Sequence, residues 1–259
     1  MLAELFRIIL FPHFSSPSPS QVQFVLYRNS KVELKKSITI LHQMSYIECS
    51  LYGIIPHTKL TKLKALLLGL SGNETDYCDH EIMYKPTIET PFGPPRNDDV
   101  SLYLKSNALK NTSLIPFEDR HWYLIQKCPP EPPKQGQKLC NHRIVYQTQI
   151  NGNAIDYIHR LGYTFSFEYI IKGWKFIIDG IHVKIYRVYR IQIQHQLHTA
   201  VPLNETDHWL VEIAYPNCHQ DQVTMASQRL FALASQLAGL VVLKVLDHTF
   251  LQTKLKYSD

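Results

Sequence analysis

Paired carboxylates on a strand are the pattern to look for when phosphate chemistry runs inside a barrel. Period 2 points both side chains of a Glu-x-Glu pair the same way, where they hold a divalent metal against the phosphates. None of Glu48, Glu81, Glu89, Glu118, Glu168, Glu205 and Glu212 has another Glu two residues away. Glu168 and Glu212 stand on strand-like stretches and can meet only by folding. Of 13 histidines, His195 and His198 are three apart, but no third ligand follows at a metal-binding spacing. The neighbours Asp79-His80 and Asp207-His208 point to opposite faces if they lie in strands. No serine sits in a nucleophile elbow, and no glycine-rich phosphate loop occurs among 10 glycines. Cys49, Cys78, Cys128, Cys140 and Cys218 form no C-x-x-C pair. Catalytic residues, a metal site and a cofactor are therefore not expected.

The elements that would carry these residues are mostly strands. Tyr46 to Ile55 alternates Ile47, Cys49 and Leu51 against Tyr46, Glu48 and Ser50. A helix follows from Thr58, with Leu60, Leu63, Leu67 and Leu70 on one face and Gly69 and Gly72 as its stop. Further strands are expected at Cys78 to Tyr84, Val100 to Lys105, His121 to Lys127 and Asn141 to Ile150. A short helix fits between Asn151 and Gly162. Tyr163 to Ile178 reads as a hairpin turning at Gly173, and Ile181 to Gln194 is the longest alternating run. Its faces are Ile181, Val183, Ile185, Tyr189, Ile191 and Ile193 against His182, Lys184, Tyr186, Arg190 and Gln192. After a strand at His208 to Tyr215, a helix from Asp221 to about Ala238 carries Val223, Ala226, Leu230, Leu233 and Leu237, and a short strand at Val241 to Leu246 ends the pattern. Eight to ten strands on short connections, with three helices inserted, predict a mainly β chain (α+β): an antiparallel barrel, because closure removes the exposed edges.

The first 43 residues have a different texture: an apolar start, a Ser/Pro patch at Ser15 to Ser20 and basic residues at Lys31 to Lys36. They are expected to be a disordered leader or an upstream extension of the gene model, with a single folded domain spanning 44–259 and a mobile loop at Pro129 to Lys138. The formal charge of +5 on 259 residues is mild, and Arg7, Arg28, Lys31, Lys35 and Lys36 against Glu4 and Glu33 place most of it in that leader. Such a balance argues against a dedicated nucleic-acid-binding domain. Scattered cysteines favour a reducing compartment, and no apolar run approaches the roughly 20 residues a bilayer needs. Aromatic and basic residues mix over Lys172 to Arg190, including Lys175 and Arg187, a composition that suits an RNA surface or a protein interface.

The segment NAIDYIHRLGYTFSFEYIIKGWKFIIDGIHVKIYRVYRI, with ECSLYGII at Glu48 to Ile55 and DHEIMYK at Asp79 to Lys85, resembles the subunit 18 family of the Mediator complex. The order of elements matches that family over Met44 to Leu246. The resemblance implies an antiparallel β-barrel with flanking helices, shaped like the triphosphate tunnels but without their chemistry. It implies a nuclear, non-enzymatic transcription coregulator of the head module, coupling activators to RNA polymerase II. Its implied partners are Mediator subunit 20, the C-terminal helix of Mediator subunit 8 and other head-module subunits, with neither membrane nor sequence-specific DNA among them; direct contact with the polymerase stays open. The alternative is a divergent metal-dependent phosphohydrolase on the same barrel. For the partner surface, parity selects Lys184, Tyr186 and Arg190, with Trp174 beside them.

Overall fold

A computed structural model describes residues 22–24, 38–87, 100–110, 113–131 and 139–251. Most of the expected leader and loop residues 132–138 lie outside the described residues. The strands are β1 (Val22–Phe24), β2 (Ile38–Pro56), β3 (Thr75–Pro86), β4 (Leu102–Asn107), β5 (Leu109–Lys110), β6 (Ser113–Leu114), β7 (Trp122–Lys127), β8 (Asn141–Asn151), β9 (Tyr163–Ile178), β10 (Ile181–Ile191), β11 (Ala200–Pro202) and β12 (His208–Cys218). The helices are α1 (His57–Ser71), α2 (Ala154–Arg160) and α3 (Val223–Leu237).

Eight strands close a ring in the order β2-β12-β10-β9-β3-β4-β7-β8, and β8 returns to β2. Every pairing in the ring is antiparallel. β2 does the closing because it is long: its first part pairs with β8 from Thr39 onward, and its last part pairs with β12 up to Pro56. β2 thus starts at Ile38, ahead of the expected boundary at Met44. The short β1 lies against the start of β2, outside the ring.

The apolar faces point outward and the helices cover them. Leu60, Leu63 and Leu67 of α1 and Ala226, Leu230, Leu233 and Leu237 of α3 pack on Cys49, Leu51 and Ile55 of β2, on Val183 and Ile185 of β10 and on Val211 and Ile213 of β12. Across the barrel, Ala154, Tyr157 and Ile158 of α2 cover Ile82, Tyr84, Leu102, Leu104, Trp122 and Leu124. The charged parity is left to line the interior. An eight-stranded ring is wide enough for this, since its interior holds side chains and a small hydrated space.

Three expectations change here. β9 runs unbroken through Gly173, and the hairpin turns at Asp179 and Gly180, both with positive φ. The glycine at 173 answers a close approach: a Cβ there would lie 1.9 Å from the carbonyl oxygen of Ile185 on β10. Val241 to Leu246 is not a strand, because only Lys244 bridges to Tyr52 while Val241 packs into the core beneath α3. α1 extends from His57 past Gly69 to a left-handed cap at Gly72, whose N–H donates to the Leu68 carbonyl, and Leu70 is exposed.

Candidate functional site

Alternation along β2, β3, β4, β8, β10 and β12 delivers charge to the lumen. Register sets the partners. Glu48 faces Arg143, Lys184 faces Glu212 and Glu81 faces Lys105 across adjacent strands. These side chains border a cavity of about 930 Å³ that runs into the barrel. Arg143 Nη2 lies 2.7 Å from Glu48 Oε1. Lys105 Nζ reaches Asp79 at 2.5 Å and Glu81 at 3.2 Å, while Lys127 approaches Glu81 at 4.0 Å and Lys184 approaches Glu212 at 3.7 Å. Tyr77 donates to Asp79 at 2.7 Å and Tyr169 donates to Glu81 at 2.6 Å.

The electrostatics follow from this pairing. Burial alone would raise the Glu48 carboxyl, but Arg143, with Lys127 and Lys184 beyond, outweighs it and holds the group at about 2. Glu81 is lowered in the same way against its own burial by Lys127 and Lys105. Lys105 stays charged because Glu81 and Asp79 outweigh its desolvation. His182 is pushed down to about 4 by burial and by Lys175 and Lys184. Each of these lumen carboxylates already faces a cation.

Asp79-x-Glu81 is a carboxylate pair with both side chains in the lumen, a signal that a search for Glu-x-Glu alone passes over. Lys105 bridges the two, so they are not set up to receive a metal. Among the described residues no group of three His, Cys, Asp or Glu side chains is placed to hold one. Glu168 and Glu212 do not form a joint site. Glu212 pairs with Lys184, whereas Glu168 turns outward to His80 and His195.

The outward carboxylate anchors a second buried network. His80 Nε2 lies 2.9 Å from Glu168 Oε2, and Arg120 Nη1 lies 2.9 Å from His80 Nδ1. Arg120 can only donate, so Nδ1 accepts and Nε2 carries the proton given to Glu168. The His195 backbone N–H reaches Glu168 Oε1 at 2.5 Å and its Nδ1 reaches Oε2 at 3.0 Å. Burial would raise Glu168; the bonds from His195 and His80 hold it at about 2 instead. Arg120 also donates twice to the Ile115 carbonyl. The cluster ties the loops around residues 115–120 and 195 to the barrel wall, and Phe117 packs over it against Trp122 and His195.

The residues selected by parity divide between two surfaces. Lys184, Tyr186 and Arg190 line the interior cavity, reversing the expectation that this face is the outer one. Helices cover the apolar parity, so the polar parity turns in. Trp174 is on the outside, 4.8 Å from Trp209 between ring centroids, with Lys64 stacked 3.6 Å above it. Arg187 lies on the outer face as well, stacked 4.5 Å over Trp209 and donating to Asp207 at 2.7 Å. Beside them Ile54, Leu203 and Leu210 are exposed around a groove of about 480 Å³ that Tyr186 and Trp209 also border. Arg190 stands at the same rim, near Pro202 and Leu203.

Comparison with known proteins decides the family. The family model described as Med18 protein matches residues 47–254. The chain belongs to the Med18 family. A Schizosaccharomyces pombe relative, Mediator of RNA polymerase II transcription subunit 18, is 26% identical over 212 residues, covering 80% of this chain and 97% of the relative. The Aspergillus niger protein of the same name is 25% identical over 190 residues, covering 66% of this chain and 70% of its own length. In structure the chain is similar to a chain of the Schizosaccharomyces pombe Mediator head module, with a TM-score of 0.63 and 22% identity over 77% of this chain and 98% of that one. The expected antiparallel barrel and the family resemblance are both borne out. The phosphohydrolase reading gains nothing from the lumen, where the acidic pair is already neutralised.

Proposed function

We propose that this chain is a non-catalytic interaction subunit of the Mediator head module, acting in the nucleus as a transcription coregulator for RNA polymerase II. Membership of the Med18 family over residues 47–254 is the observation that carries this reading. The paired charges of the lumen support it, because Lys105 and Arg143 already engage Asp79, Glu81 and Glu48 and such a network stiffens a scaffold. The specific partners proposed are a subunit 20-like protein and a C-terminal helix of a subunit 8-like protein, with other head-module subunits around them. For the contact surface, the exposed trio Ile54, Leu203 and Leu210 with Trp209 and Trp174 offers apolar anchors, and Arg190 supplies its polar rim, while Tyr186 backs the groove from the lumen side. Lys184 acts within the lumen, where it holds the wall that carries this rim.

Co-expression tests the reading. The chain is produced with subunit 20-like and subunit 8-like proteins from the same organism and run through size exclusion. Elution as one stoichiometric complex is expected. Separate elution of a folded chain would count against these partners.

A further inference from the structure

One lysine of the lumen is left out of the ion pairing. Lys175 of β9 and Lys184 of β10 stand directly opposite each other in register, both on the parity that lines the cavity. Directly opposed residues have Cβ atoms about 5 Å apart, and like charges placed so repel. His182 lines the same end two residues before Lys184, and Thr75 of β3 is paired with Lys175 from its other side. Lys184 has a counter-charge in Glu212 at 3.7 Å. Lys175 has none: among the described residues no carboxylate stands within ion-pair distance of it. Asp79 acts on it only from further away and is held by Lys105. Asp76 borders the same opening but is exposed, and its register partner is the outward Trp174.

Partial burial keeps water from screening this repulsion. Desolvation lowers Lys175, and Lys184 lowers it further, while His182 is pushed down to about 4 by burial and then by Lys175 and Lys184. Two ammonium groups and an imidazole thus share one end of a cavity of about 930 Å³, with Glu212 the only carboxylate in ion-pair contact with any of them. Each ammonium offers three N–H donors, and the Thr75 hydroxyl and the neutral His182 ring add one each. A small dianion with several acceptor oxygens matches that set, because it cancels the repulsion and takes charge-assisted hydrogen bonds from two strands at once.

We propose that the lumen binds one phosphate-class oxyanion between Lys175 and Lys184, with His182 and Thr75 as further donors. The ion is held rather than turned over, and it ties β9 to β10 at this end of the barrel. Nothing in this binding depends on a metal, since Lys105 keeps Asp79 and Glu81 engaged nearby.

The test titrates the purified full chain with inorganic phosphate at neutral pH, against sodium chloride at equal ionic strength, by calorimetry and by thermal melting. One phosphate bound per chain and a melting temperature raised by phosphate but not by chloride are expected. Lys175→Met should weaken phosphate binding about 10-fold, the worth of one charge-assisted contact. Without phosphate the same variant should melt above the wild type, because the opposed charge is gone. Lys172→Met removes a charge from the outward face of β9, where Lys172 lies 5.2 Å from the Tyr189 ring, and should leave phosphate binding unchanged. In proton NMR the His182 ring should titrate at higher pH once phosphate is bound. Equal responses to phosphate and chloride would overturn the proposal, as would wild-type phosphate affinity in Lys175→Met or a His182 titration that phosphate does not move. None of these readouts involves Mediator assembly, so the proposal stands or falls apart from the function argued above.

Discussion

Arg143 on β8 sends two hydrogen bonds to one oxygen of Glu48 on β2, from Nε at 2.9 Å and from Nη2 at 2.7 Å. The two residues are directly paired across the seam where β8 returns to β2. This ion pair sits at barrel closure, where a lost contact would open the ring. Glu48→Gln is expected to cost about 3 kcal/mol, because the guanidinium would stay buried without its counter-charge. Urea unfolding measures this, and a double-mutant cycle with Arg143→Met should show strong positive coupling.

Acid should weaken the fold in a defined window. Glu48 and Glu168 are held at about 2 and Glu81 is lowered, all below the ordinary value of 4.5. A carboxyl lowered in the folded state stabilises it fully above the unfolded value, and that stability is lost as pH falls through the folded value. Stability should therefore drop from about pH 4.5 downward, and denaturant midpoints at pH 5, 4 and 3 should show it.

His182 adds a separate loss at milder pH. Burial, then Lys175 and Lys184, set it at about 4, so between there and its ordinary 6.5 only the unfolded chain takes up its proton. Stability is expected to fall as pH drops across that interval. His182→Gln should flatten the dependence between pH 6.5 and 4 in urea midpoints.

Two glycines should respond in opposite directions. A Cβ at Gly173 meets β10 backbone at 1.9 Å, so Gly173→Ala forces β9 and β10 apart and is expected to cost about 2 kcal/mol or more. Gly69 lies inside α1 with nothing within 4 Å of its added Cβ. Gly69→Ala should stabilise by up to about 1 kcal/mol through helix propensity. Thermal melts of the two variants check both signs.

Alternation makes the barrel legible in the sequence. Its periodicity in Ile181 to Gln194 and Tyr46 to Ile55 identified strands that the structure contains. It did not say which face was inside. In a solvated sheet the polar face looks out, but here α1 and α3 cover Val183 and Ile185, so Lys184 and Tyr186 turn into the lumen. Gly173 looked like a turn because glycine serves both turns and close approaches, and only the partner strand separates them. The His80–Glu168–His195 cluster was out of reach for a similar reason: residues 80, 168 and 195 come together only through the β3–β9 pairing and the loop that follows β10.

The chain is expected to assemble into a working head module. The most direct measurement is affinity purification of the tagged full-length chain from nuclear extract of its own organism, with mass spectrometry of what it retains. Recovery of the other head-module subunits in near-equal amounts, reduced by Trp209→Ala with Leu203→Asp while the melting temperature of the variant chain is unchanged, is the predicted result. Recovery of the folded chain without any Mediator subunit would contradict it.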